Sequence, residues 1–147
     1  MASNTLPQFT ANGNVSSVAV TAGSTNSEAP GTIGTAVFLA FTAGSNGSFV
    51  ESVLWMPTAS ATTTTTATVG RVYVSSISSG ATSASNCFLI AEVNLAAVSA
   101  DSSSAAANAV EVPVNRRIPA NWTILVSNYA TPQTNTQWIA TAFGGDY

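Results

Sequence analysis

The residues of this sequence that could carry acid–base chemistry are its six Asp and Glu side chains. Glu51 and Glu92 each lie in an apolar run, and two carboxylates facing one cleft are the groups that hydrolyse glycosidic bonds. The alternative is that both acids face solvent or pair with Arg71 or Arg116, which is the common situation for acids on strands. No further catalytic group accompanies them in the sequence. We therefore predict that the protein is not an enzyme and has no catalytic residue.

Several types of site are excluded by residues that the sequence lacks. It contains no His and no Lys, so it has no Ser-His-Asp or Cys-His site, no imidazole ligand, no Schiff base and no phosphate-loop lysine. Its single cysteine, Cys87, cannot form an internal disulfide and lies within an apolar run, which predicts a small buried side chain. No loop has the spacing of a calcium or phosphate site, so we expect neither a metal nor a cofactor.

The charge of the sequence argues against two classes of partner. Only 6% of residues are charged, and the three cations are all arginines. Three arginines cannot neutralise a run of phosphates, so we expect no binding to nucleic acid. The longest strongly apolar run, residues 36–41, is far shorter than a membrane-spanning helix, so we expect no membrane partner. Because buried charges are costly and interface centres contain few of them, low charge favours a structural protein that works in an assembly.

Large aromatic side chains offer one further chemistry, the stacking of rings on sugars. The candidates are Trp55, Tyr73, Trp122, Tyr129 and Trp138. Such residues form sugar-binding platforms in some β-sandwich lectins, but more often they fill the core or a subunit interface. We favour the core or an interface here.

The elements that would position these side chains are predicted to be strands throughout. Thr, Val and aromatic residues suit pleated sheets. Apolar residues nowhere recur with the period of 3.6 residues that would indicate a helix. Eight strands are predicted: residues 15–20, 35–42, 48–56, 67–75, 87–95, 109–115, 122–129 and 138–143. The intervals between them are too short for crossover helices. We therefore predict an all-β fold, an antiparallel eight-stranded sandwich of two sheets with jelly-roll-like topology.

Individual strands carry further predictions. Residues 36–41 are apolar on both faces, which indicates a central strand or one that is covered by a partner. Alternation in the third strand places four residues on one face: Phe49, Glu51, Val53 and Trp55. Pro57 is expected to end this strand, and Pro113, which lacks a backbone donor, predicts an edge position for the sixth.

Residues 1–14 are predicted to form an extended N-terminal arm, and residues 15–147 a single sandwich domain. The arm lacks the alternation of a regular strand and contains Pro7. Leu6 and Phe9 on either side of Pro7 give it two apolar anchors, so we expect these three residues to contact another chain. The alternative is a disordered tail, which is common at termini.

Arg116 and Arg117 hold two of the three positive charges. Two interpretations of this pair stay open. The arginines are either the solvated end of a strand or the cationic half of an ion pair with an acid of another subunit. We include both as candidate contact residues.

Five short segments of the sequence resemble small virion proteins of tailed bacteriophages and prophages. They are Thr42-Ala43-Gly44-Ser45-Asn46-Gly47-Ser48, Gly70-Arg71-Val72-Tyr73-Val74, Phe88-Leu89-Ile90-Ala91-Glu92-Val93, Ile118-Pro119-Ala120-Asn121-Trp122-Thr123 and the terminal Phe143-Gly144-Gly145-Asp146-Tyr147. The last segment is the most specific, and the resemblance covers roughly the last two thirds of the chain. Asn121 stands where a glycine is expected, a departure that the tolerance of Asn for left-handed backbone can absorb.

The resemblance implies a capsid cement, or decoration, protein. Such proteins have compact β folds, sit on the exterior of the head of the virion, often as trimers, and bridge subunits of the major capsid protein. They have no catalytic residues. We therefore expect a virion protein and a homotrimer, because low charge and a strand apolar on both faces leave more apolar area than one small sandwich should expose. The alternative is a tail-fibre or receptor-binding domain that contacts a glycan through its aromatic residues.

Overall fold

The computed structural model describes residues 10–59, 64–98 and 109–147, which form eight strands and no helix. The strands are β1 (Asn12–Val20), β2 (Phe38–Thr42), β3 (Ser48–Ala59), β4 (Thr68–Ser75), β5 (Cys87–Leu95), β6 (Val110–Ile118), β7 (Thr123–Asn128) and β8 (Thr136–Asp146). Each overlaps one of the eight predicted strands, and β5 has the predicted bounds. The prediction of an all-β fold is confirmed.

The strands form two antiparallel sheets of four strands each. Sheet 1 has the order β1-β8-β3-β6, and sheet 2 has the order β2-β7-β4-β5. Each strand of the first half of the chain pairs with its counterpart counted back from the end. The pairs are β1 with β8, β2 with β7, β3 with β6 and β4 with β5. A long antiparallel hairpin gives this pattern when it is rolled over itself. The antiparallel two-sheet sandwich is confirmed, and the jelly-roll-like topology stays a prediction.

The core lies between the two sheets and is built from side chains of both. Its largest fully buried members include Trp55 and Trp138 from sheet 1 and Ile124 and Val72 from sheet 2. Burial of this apolar area is the main stabilising term, at about 1.5–3 kcal/mol for each large side chain. The β-branched and aromatic residues that made the sequence suitable for strands are therefore the same residues that fill the interior.

A second, smaller apolar cluster covers the outer face of sheet 2. Val37, Tyr73, Cys87 and Leu125 are its buried members, with Ile33 packed against them from the connection between β1 and β2. This explains why β2 is apolar on both faces, although it is an edge strand and not a central one. Of the two alternatives predicted for this strand, the central position is wrong, and the cover is provided by the chain's own connection between β1 and β2, which we call the covering layer.

A β-bulge in β3 reverses the alternation that the sequence suggests. Val50 pairs with Gly144 of β8 and Ser52 pairs with Phe143, so Glu51 is an extra residue with no partner in this ladder. On one side of the bulge Val50 is buried, and on the other side Val53 and Trp55 are buried. The predicted common face is therefore wrong: Glu51 is exposed and Phe49 only half-buried, because one additional residue turns the rest of the strand over.

Two proline positions test the predicted strand limits. Pro57 does not end β3, since it pairs with Trp138 of β8 and the strand continues to Ala59. Pairing of β3 with β6 ends at Trp55, so beyond this residue one side of β3 needs no donor. Pro113 lies in β6, which is an edge strand of sheet 1, as predicted.

The limit of the predicted arm is also revised. Asn12 to Asn14 belong to β1 and pair with Asp146 to Gly144 of β8. Leu6, Pro7 and Phe9 lie outside the described residues, so their predicted contacts stay predictions.

Candidate functional site

The two candidate catalytic carboxylates belong to different sheets. Glu51 is on β3 of sheet 1, and Glu92 is on β5 of sheet 2. Glu92 accepts a hydrogen bond from Nε of Arg71 at 2.8 Å, which confirms the interpretation as an ion pair. Glu51 instead lines a shallow depression with Glu111, Pro113 and Asn115 of β6. The geometry therefore does not bring Glu51 and Glu92 to one cleft.

Arg71 joins the connection between β1 and β2 to sheet 2. Its side chain is buried on β4, and besides the bond to Glu92 its guanidinium donates to the carbonyl of Ser24 at 3.0 Å. It also lies over the ring of Tyr129, 5.4 Å from the ring centre. A planar guanidinium can make these three contacts together, so the role that the structure gives this arginine is to hold the covering layer in place.

The aromatic candidates separate into buried and exposed residues. Trp55, Tyr73 and Trp138 are buried in the two apolar clusters, so they cannot stack on a sugar. Trp122 is half-buried and stacks on Phe88, with 6.4 Å between the ring centres, and Tyr129 is exposed beneath Arg71. The five residues do not form one platform.

The C-terminal segment is a structural junction. The Asp146 carboxylate accepts hydrogen bonds from the Ser48 hydroxyl, from Nδ2 of Asn14 at 3.1 Å and from the backbone N–H of Gly44 at 3.3 Å. These bonds, that of Ser48 first, hold the pKa of the Asp146 carboxyl below its ordinary value, against the opposing effect of burial. Asp146 thereby ties together β1, β3 and the turn between β2 and β3.

The two glycines before Asp146 are required by close packing. A Cβ atom on Gly144 would lie 2.4 Å from the carbonyl oxygen of Phe49, and one on Gly145 would lie 2.7 Å from the side chain of Thr10. Neighbouring backbones leave no room for a side chain at either position. The most specific of the five resembling segments therefore has a clear packing role in this fold.

The candidate contact residues Arg116 and Arg117 lie near the end of β6, on the free edge of sheet 1. Both are exposed. The Arg116 guanidinium donates to the carbonyl of Asn115 at 3.4 Å, and that of Arg117 lies over the ring of Tyr147, 5.6 Å from its centre. The predicted strand ended at Asn115, so the structure extends it to include both arginines.

An exposed apolar surface lies on β5, the free edge of sheet 2. Phe88, Leu89 and Ile90 are consecutive and are 43%, 40% and 41% exposed, and we call these three residues the β5 strip. Tyr73 of β4 pairs with Leu89 and Val72 pairs with Ala91, so Ile90 is the extra residue of a β-bulge. A depression of about 500 Å³ adjoins the strip and is lined by Ser27, Glu28, Ala84, Cys87, Phe88 and Leu89.

The β5 strip was not singled out by sequence reasoning. The sequence shows a run of four apolar residues, Phe88 to Ala91. Such a run is as typical of a buried strand as of an exposed one. Cys87, immediately before the strip, is buried as predicted, and burial raises the pKa of its thiol to about 11. The strip and the arginines lie on the two edge strands β5 and β6, which contact each other on one side of the sandwich.

Two further findings concern the described residues only. They contain no group of three or more His, Cys, Asp or Glu side chains that is arranged to hold a metal ion. Within the same ranges no helix is long and apolar enough to cross a membrane.

Comparison with known proteins gave no match. No family model fits the sequence, and no curated protein or solved structure was found to be similar.

Proposed function

We propose that this protein is a cement protein of a tailed-bacteriophage capsid, which binds the outer surface of the head and bridges subunits of the major capsid protein. The observation that carries the proposal is the β5 strip, three consecutive apolar side chains exposed on an edge strand. The resemblance of the five segments to small virion proteins and the low charge of the chain support the same role.

The β5 strip suits a contact between chains. Each of its side chains has about two fifths of its surface still exposed, so burial under a partner would contribute about 1 kcal/mol per residue. The bulge at Ile90 interrupts the ladder at this edge, and Pro113 removes a donor from the neighbouring edge strand. Both features oppose extension of a sheet by a foreign strand. The contact is therefore made by side chains.

Attachment to capsids tests the proposal directly. Capsids that lack this protein are incubated with the wild type, with a Leu89→Ser/Ile90→Ser double variant, or with Val15→Ser. Val15 is a matched control, because it is 60% exposed on β1, an edge strand of sheet 1 on the other side of the sandwich. The double variant should bind about thirtyfold more weakly, from about 2 kcal/mol of lost burial.

Two outcomes would contradict the proposal. The first is a double variant that folds as judged by circular dichroism and binds capsids as tightly as the wild type. The second is a copy number of only a few per particle, measured on a stained gel of purified virions, which would indicate a tail component instead.

The proposal includes a homotrimer, as in the proteins that the sequence resembles. The covering layer over sheet 2 removes one reason for expecting it, since β2 is covered by its own chain. The support is now the low charge of the chain together with Arg116, which is exposed on the edge strand β6. Light scattering should give three times the mass of the chain, and a monomer at high micromolar concentration would refute this part.

A further inference from the structure

Polar atoms without protein partners are concentrated at one end of the core. Of the five buried side-chain polar atoms that lack a partner in the described residues, four belong to three side chains. They are Nε1 of Trp55, Nε1 of Trp138, and both Nδ2 and Oδ1 of Asn128. Trp55 and Asn128 are 0% exposed and Trp138 is 2% exposed, so bulk solvent does not reach them.

Strand register places the three side chains near one another. Trp55 pairs with Ala140 of β8 and Trp138 pairs with Pro57 of β3, so the two indoles are diagonal neighbours on the inner face of sheet 1. A Cβ atom on Gly70 would lie 3.1 Å from Cε2 of Trp55, the carbon bonded to Nε1. Gly70 pairs with Asn128 in sheet 2, which brings this asparagine to the same end of the core as the indole.

The chemistry of these groups is complementary to ordered water. The two indoles are donors only, and the asparagine offers two N–H donors and a carbonyl acceptor. Buried groups of this kind are almost always hydrogen-bonded, either to protein or to ordered water. A water molecule accepts two hydrogen bonds and donates two, so one water can accept from both indoles and donate to Oδ1 of Asn128, and a second can accept from Nδ2.

We propose that ordered water is bound between the sheets at this end of the core, held by Trp55 and Trp138 of sheet 1 and by Asn128 of sheet 2. This site joins the two sheets through hydrogen bonds at the end opposite to the Asp146 junction. It is independent of the proposed function, because it needs no partner chain.

Water–protein magnetisation transfer tests the site. In ¹⁵N-labelled wild-type protein, the indole N–H protons of Trp55 and Trp138 should show cross-peaks to long-lived water. Recording both NOE and ROE versions separates dipolar contact from chemical exchange. Absence of dipolar cross-peaks at both buried indoles would refute the proposal.

The melting temperature of the Asn128→Leu variant is a second test, because a bound water and a dry site predict opposite changes. Leucine has a similar volume and no polar group. If water is bound, the variant loses it and leaves two indole donors unpaired, so its melting temperature falls and the indole cross-peaks disappear. If the site is dry, leucine removes an unpaired buried amide and the melting temperature rises, which would overturn the proposal. Should the variant fail to fold, the wild-type spectra alone decide.

Discussion

Replacing Asp146 by Asn should destabilise the protein in a way that depends on pH. The carboxylate is the common acceptor for the Ser48 hydroxyl, the Asn14 amide and the Gly44 N–H. An asparagine side chain keeps the shape but presents one oxygen and an NH₂ group. Its NH₂ group would face the donor of Asn14 or that of Ser48, so at least one bond is lost together with the charge.

The magnitude follows from the number and kind of these bonds. A hydrogen bond to a charged group contributes about 1.5–3 kcal/mol, and the partial exposure of Asp146 favours the lower part of that range. We therefore expect a loss of about 2 kcal/mol near neutral pH. For a domain of this size, that lowers Tm by about 4–8 °C.

The pH dependence has a defined sign. Because the pKa of Asp146 is lower in the folded protein than in the unfolded chain, its contribution is present above the unfolded value of about 3.9. It is lost as the pH falls through the folded pKa. The difference in Tm between the wild type and Asp146→Asn should therefore be constant from about pH 7 to pH 5 and should shrink below about pH 4.

Thermal unfolding of both proteins across this pH range, followed by circular dichroism, measures the effect. Glu111→Gln is the control, because it removes an equal charge from an exposed position on β6. A Tm difference that stays the same down to pH 3, or an equal loss in the control, would refute the role assigned to Asp146.

Two further predictions concern packing and burial. Gly144→Ala should lower the free energy of unfolding by about 2–3 kcal/mol in urea titrations, because its Cβ would meet the Phe49 carbonyl, whereas Gly13→Ala, with nothing within 4 Å, should change it little. An equal effect at both glycines would contradict this account. Cys87 should react with a thiol reagent at pH 8 about a hundredfold more slowly in the folded protein than in urea, since burial raises its pKa to about 11. A folded protein that reacts as fast as the denatured chain would show that this thiol is accessible.

The sequence by itself determined the features that depend on neighbouring residues. Alternation, turn residues and β-branched composition located all eight strands, and the apolar run around Cys87 predicted its burial. Pro113 indicated an edge strand because a missing donor is a local property. Asn121, which stands where the resemblance implies a glycine, adopts φ of 62°, the left-handed backbone that Asn was expected to tolerate there. Short-range sterics and hydrogen-bonding capacity are sufficient for such predictions.

Only the tertiary structure decided which faces are covered and which residues meet. The bulge at Glu51 turns over the rest of β3, and no local pattern indicates it, because it depends on the register with β8. Asp146 meets Asn14, 132 positions away in the sequence, and their distance is set by the closure of both sheets. Apolar residues of β2 are covered by the chain's own connection, while similar residues of β5 remain exposed at an edge. Local composition is alike in the two strands. The difference lies in what packs against them, which long-range packing alone decides.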